Sequence, residues 1–322
     1  MKRGQGEQFN WIFILVAGSV ILGFFTMFAF RYINLQENKE DVRNIINLGG
    51  LLNTLEKLQV GDKGYSIDSN NPGEGLRFGR DIDINYECLG DKSSLFIGSG
   101  EFANYELQDE ILFIKSQKTN ALDAWIVPWR FPFHVTNLIY LASPKNKFYA
   151  VYDSGSEEYV NNIEFGDSFD FNTVNLRNLD VQDNSKYVFF TSRIPDGNEI
   201  ENYKENFPSS DFVFVDLKNN QMFFYDNDWQ GPVQYYGDEL MLGAFFSDSL
   251  DSYSCNIDKA MKKLKGVSQI YIGKASILSS LNNKECNYAM LSNQLSNFVD
   301  GKYENVGKIS ELNRKGGCLW VF

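Results

Sequence analysis

Apolar and polar positions divide this chain into three textures. The first is a solid apolar block. Residues 11–30, WIFILVAGSVILGFFTMFAF, contain no charge. At about 1.5 Å per residue, such a helix is about 30 Å long, the thickness of one bilayer core. Trp11 stands at one end; Phe30 and Arg31 close the other. Aromatic rings favour the membrane interfaces, and an arginine there reaches the headgroups. The block is longer than a cleaved signal's apolar region and ends in FAFRYIN, without a small-residue exit site. The expectation is an uncut single-pass anchor after a short tail at 1–10.

The second texture is periodic. Leu35, Val42, Ile45, Ile46, Leu52 and Leu55 recur at helical spacing among Glu, Lys, Asp and Asn. That predicts an amphipathic helical stalk over 31–60. Gly49-Gly50 marks a hinge or break in it.

The third texture begins near GDKGYSIDSNNPGEG. Short apolar and aromatic runs alternate with Gly, Asn and Asp turns. Strands are predicted at 77–87, 94–97, 111–115, 138–142, 148–152, 186–191, 212–216, 221–225 and 240–246. In FVFVDLKNNQMFFYD two β-rich runs flank Asn219-Asn220, which predicts a hairpin, since Asn tolerates left-handed backbone. Helical periodicity returns at Ile257, Ala260, Met261 and Leu264, and again at Tyr288, Leu291, Leu295 and Phe298, with Gly301 placed to stop the second helix. The expected class is α+β: an N-terminal transmembrane helix with an amphipathic extension, then a strand-rich mixed domain over 61–322 with C-terminal helices. The polar stretch at 181–185 is a candidate sub-boundary.

Charge narrows the functions. The net charge is −12, so nucleic acid is not an expected partner. The basic run KAMKKLK at 259–265 reads as a solvated helix face. His134 is the only histidine, which removes paired-His metal motifs and leaves His134 itself a structural reading. The large domain is expected outside the cytoplasm, with membrane lipid as the standing partner. Ser19 and Gly23 stand four apart, spacing that lets two such helices associate closely. Other envelope proteins are a further class of partner. The chain has no N-x-[ST] sequon.

Cys88, Cys255, Cys286 and Cys318 form no C-x-x-C motif. In an oxidising compartment two disulfides are the natural reading. Cys255 and Cys286 each precede a predicted helix, so the expected pairs are Cys255–Cys286 and Cys88–Cys318. The rival reading is a nucleophilic Cys255 at a helix N-terminus.

Three further motifs are weaker. Asp226 and Asp228 in DNDWQG resemble half a calcium loop, a Ca²⁺ candidate and the sole cofactor suggestion, but Gly237 stands where a bidentate Glu belongs. Trp125, Trp129 and Phe131 in DAWIVPWRFPFHV form either an aromatic binding patch or core. SLFIGSGEFA reads as a glycine-rich hairpin loop rather than a dinucleotide turn, because strand texture resumes too soon. No P-loop, G-x-S-x-G or H-E-x-x-H is present.

The stretch KRGQ before the apolar block resembles the archaeal class III, type IV pilin-like leader, over residues 2–30 only. The resemblance implies a cut between Gly4 and Gln5 and a helix that packs into a filament core. The family carries Glu at the fifth mature position, where this chain has Phe9. Three functional classes follow. One is an anchored structural or binding protein, pilin-like or otherwise on the surface. The second is an anchored enzyme that acts on envelope polymers through carboxylates. The third is an inward-facing accessory subunit of a membrane complex.

Overall fold

The computed structural model describes residues 5–59, 64–67, 76–90, 92–163, 171–280, 286–303, 306–314 and 318–322. It is α+β, as the textures imply. Block and stalk are one helix, α1 (Gln5–Glu56), which starts inside the expected tail and runs through Gly49-Gly50 without a break. At about 1.5 Å per residue it is about 78 Å long. Gly49 is a close-approach position: a Cβ there would collide with the Tyr105 ring. Gly50, on the far side, meets nothing.

The first sheet has β1 (Tyr65–Ile67), β2 (Leu76–Leu89), β3 (Lys92–Ile97), β4 (Asn104–Leu107), β5 (Ile111–Ile114), β6 (Gln117–Arg130) and β7 (His134–Ala142). Its order is β4-β3-β2-β6-β7-β5, with β1 on β6. All pairings are antiparallel except β5 with β7. Gly98 and Gly100, both at positive φ, turn the β3–β4 hairpin, as SLFIGSGEFA suggested. The second sheet has β8 (Lys147–Tyr152), β9 (Asn172–Asn175), β10 (Ser185–Phe190), β11 (Asp211–Asp216), β12 (Gln221–Asp226) and β13 (Asp228–Gln234), in the order β13-β12-β11-β10-β8-β9. Strands β9, β8, β10 and β11 are parallel; β12 and β13 are antiparallel additions. Asn220, at φ 52°, turns the β11–β12 hairpin. The stretch 181–185 is no boundary: β8, before it, pairs directly with β10, after it.

Helices α2 (Glu157–Asn162) and α3 (Gly197–Asn206) lie within the parallel part, and α4 (Asp238–Phe246), α5 (Leu250–Ser280), α6 (Tyr288–Val299) and α7 (Val306–Asn313) follow it. The expected strand at 240–246 is therefore helical. All seven of its residues are buried, and an apolar run buried on every side has no period that separates helix from strand.

Three apolar clusters stack the layers. Ile45, Leu48, Leu52 and Leu55 of α1 pack on one face of the first sheet through Leu112, Ile139 and Leu141. The other face, through Phe113, Leu138 and Tyr140, joins α4, α5, α6 and the second sheet. The second sheet's far face, through Tyr187, Phe189 and Phe212, packs on Ile200 of α3. Neighbours alternate between clusters, as a two-residue period demands. Buried on both faces, the central strands read as unbroken apolar runs.

The cysteines pair as Cys88–Cys255 and Cys286–Cys318, which corrects both expected pairs and leaves Cys255 no thiol. The reason is helix length. Cys255 lies near the start of α5, and Cys286 comes after its end. Twenty-five helical rises separate Cys255 from the end of α5, about 37 Å, whereas a disulfide needs Cα atoms within about 7 Å. Cys255 instead faces the end of β2, with Cα atoms 5.9 Å apart.

Candidate functional site

The first feature is α1 itself. Its packed face begins only near Asp41 and Val42, and the apolar part before it is uncovered. Trp11 is 72% exposed and Phe30 63%, and Arg31 is also exposed. Within α1, an 18-residue apolar window has a mean hydropathy of 2.3 and is 0% buried. One helix near the N-terminus is thus long and apolar enough to cross a membrane. Gly4 lies outside the described residues, and Gln5 begins α1.

Beyond the exposed segment α1 is tied down. Arg80 of β2 donates two hydrogen bonds to the Asp41 carboxylate, at 2.7 and 2.8 Å. The buried Asn137 amide donates to the carbonyls of Glu56 and Leu58 at 2.9 and 2.8 Å, closing the last turn. Lys263 of α5 donates to Glu56 at 2.6 Å. Lys259 is buried, its ammonium 2.7 Å from Ser93 Oγ and 2.8 Å from the Glu110 carbonyl. The run 259–265 is therefore no solvated face; two of its lysines stitch α5 to the first sheet and α1.

The second feature is set by the parallel strands. The chain leaves β8 toward β9 on one side and returns to β10 on the other. The loops beyond their carboxyl ends diverge there, and crevices at such switch points are where open α/β sheets bind ligands. A crevice of about 660 Å³ opens at this place, between the ends of β8, β10 and β11. Its frame is Asp153, just after β8. The carboxylate accepts from the Ser192 amide and hydroxyl, both at 2.7 Å, from the Gly155 amide at 2.9 Å and from Ser156 Oγ at 3.3 Å. Burial opposes its charge, but these donors prevail and hold the carboxyl below its ordinary range. Gly155 keeps the two loops close, since a Cβ would meet Ser192 Oγ at 2.7 Å. On the other wall Asp216 accepts from the amides of Lys218 and Asn219 and from the Asn219 side chain, which fixes the β11–β12 turn.

The opposite end of the same strands is filled. Asp211 accepts from Lys115 at 2.6 Å and Lys204 at 3.2 Å. Burial pushes the Lys186 ammonium down to about 8, partly countered by Asp211. It donates to the Ser247 carbonyl at 2.7 Å and lies 5.2 Å from the Phe224 ring centre. Lys115 joins the two sheets, and Asp248 receives the Ser116 amide through both oxygens at 3.0 Å.

The remaining motif residues do not converge. Asp226 and Asp228 flank the β12–β13 turn around Asn227, at φ 60°. Asp228 accepts from the Trp229 amide. Among the described residues no group of three or more His, Cys, Asp or Glu is placed to hold a metal. Trp125, Trp129 and Phe131 form no exposed patch. Trp129 is fully buried, with its indole N–H on the Tyr236 carbonyl at 2.9 Å. Phe131 stacks against Phe298, and Trp125 packs on Phe246. Pro128 fits inside β6 because beyond Ile126 that edge has no partner strand among the described residues. His134 is exposed and pairs with Asn137 at 3.3 Å.

No family model matches this chain, and no curated protein or solved structure does. The crevice was not singled out by sequence. Its signal was present: two predicted strands, each followed by a small-residue turn, YDSGSEE and TSRIPDGN, and then by short helical stretches. That is the alternation that marks a parallel sheet.

Proposed function

We propose that this chain is a single-pass membrane-anchored protein whose α+β domain lies outside the cytoplasm and serves a structural or binding role. In this reading it is a surface component, and on the leader resemblance a pilin-like assembly subunit. The observation that carries the proposal is the division of α1. Its apolar part buries no surface against the domain, while its second part is docked by apolar contacts, an ion pair and an amide cap. A free apolar helix of bilayer length is costly in water and favourable in lipid or against copies of itself. The two disulfides support an oxidising compartment. At the crevice, the hydrogen-bonding of Asp153 and Asp216 to loop donors favours a binding over an acid–base role.

The test is intact mass of the membrane-extracted protein, alkylated with and without prior reduction. All four thiols are expected to resist alkylation until reduced. The pilin-like form of the proposal also requires a mature chain beginning at Gln5. Ready labelling of the unreduced protein defeats the outside placement; a mass that includes Met1 or Lys2 defeats the pilin-like form alone.

A further inference from the structure

We infer that the crevice beyond β8, β10 and β11 binds a small organic anion, a carboxylate or phosphate ester carrying an apolar ring or chain. Topology places the opening where divergent loops leave room, and the other end of these strands is plugged by Lys115, Lys186 and Asp211. The volume of about 660 Å³ lies within the range of roughly 300–1,000 Å³ typical of small-molecule sites.

The walls specify the ligand. Arg193, from the loop after β10, and Lys218, from the β11–β12 turn, both line the crevice and are exposed. Neither side chain has a hydrogen bond or ion pair with any described residue. In a chain of net charge −12, the crevice thus presents two cations without a described partner from two different loops. The carboxylates around them are already committed: Asp153 and Asp216 spend their oxygens on loop donors and thereby position the two loops. The Thr191 hydroxyl is likewise spent, on the Arg193 carbonyl at 2.7 Å. The charged groups of the crevice without a hydrogen-bond partner among the described residues are thus both cationic. A guanidinium grips a carboxylate or phosphate by paired hydrogen bonds, and an ammonium adds a point charge. Between these cations the surface is apolar, formed by Ile194, Leu217, Phe214 and Phe223. A bare inorganic ion would leave those side chains unused, whereas a ring or chain beside the anionic group covers them.

The test is titration of the full chain in detergent with phenyl phosphate, benzoate and neutral benzyl alcohol, followed by calorimetry at low and high salt. The expected result is saturable binding of at least one anion. Benzyl alcohol should bind about tenfold more weakly or less. Affinity should fall as salt rises, because both cations are solvent-screened. Arg193→Ala or Lys218→Ala should weaken the anion by about tenfold, while Arg193→Lys loses less than Arg193→Ala. Comparing phenyl phosphate with benzoate identifies the headgroup. The inference is overturned if neither anion binds by about 10 mM, if benzyl alcohol binds as well as the anions, or if neither alanine variant changes affinity. Both side chains are exposed, so loss of binding with an unchanged melting temperature reports the site rather than the fold.

Discussion

Lys186 pays for its place at the seam between the sheets. It is 4% exposed, and burial lowers its affinity for a proton to about 8 from an ordinary 10.5. Between those values the unfolded chain binds more protons than the folded one, so this residue makes stability rise with pH across that window. The full effect is roughly 3 kcal/mol at most. Lys186→Met removes the buried charge, yet it also leaves the Ser247 carbonyl without its donor, a loss of about 1–3 kcal/mol. At pH 7 the two changes nearly cancel. From pH 8 to pH 9.5 the parent should gain urea resistance relative to the variant. The difference between the two curves is the readout, because the buried tyrosines titrate equally in both. Parallel curves would show that Lys186 is not held charged against its burial. None of this is legible in SKYVFF, where a polar pair opens an apolar run and nothing in the pattern shows that the lysine is buried. Lys259 misled in the same way. Period assigns a face; it does not reveal that a third layer covers that face.

Elements were legible where turn residues bracket a short apolar run. Strands β5, β10 and β11 are buried, yet they stand within a residue of their expected places, as does helix α6, whereas the exposed strands β9 and β13 carry no such run and have no counterpart among the expected strands. Helix α4 was read as a strand because nothing exposed interrupts LMLGAFF. Helix α5 begins before its first clear apolar repeat and outlasts it, and that unexpected length changed the disulfides. Cys88–Cys255 ties the end of β2 to the first turns of α5 across 167 residues of sequence. Cys286–Cys318 closes a separation of 32 around α6 and α7. In the chain-entropy model the two contribute about 5 and about 4 kcal/mol. Non-reduced peptide maps should therefore contain these two linked pairs and no Cys255–Cys286 peptide. Replacing Cys88 and Cys255 together by Ser should lower stability more than replacing Cys286 and Cys318. The reverse order would mean that β2 and α5 are held mainly by the buried hydrogen bond that the Tyr86 hydroxyl of β2 donates to the Asn256 side chain of α5, at 2.8 Å, rather than by the crosslink.

At the scale of the whole molecule, one helix has an uncovered apolar part and a docked part. Residues 11–35 carry exposed Trp, Phe, Ile and Leu side chains, and no described element of the domain covers them. Residues 42–55 bury Ile45, Leu48, Leu52 and Leu55 against the first sheet and end under the Asn137 cap. The division should be separable. A chain that starts at Glu37 keeps the Asp41–Arg80 pair, every buried α1 side chain and the contact with Lys263. It loses only surface the domain never covered. It should therefore dissolve without detergent and melt within a few degrees of the full chain, since about 1 kcal/mol shifts a domain of this size by roughly 2–4 °C. A chain that starts at Asn53 removes Ile45, Leu48 and Leu52 and uncovers Leu112, Ile139 and Leu141. Burying each large aliphatic side chain stabilises by about 1.5–3 kcal/mol, so the shorter chain should melt many degrees lower or fail to fold. If the chain starting at Glu37 also falls sharply, the apolar half packs on the domain, and the anchor reading fails with it.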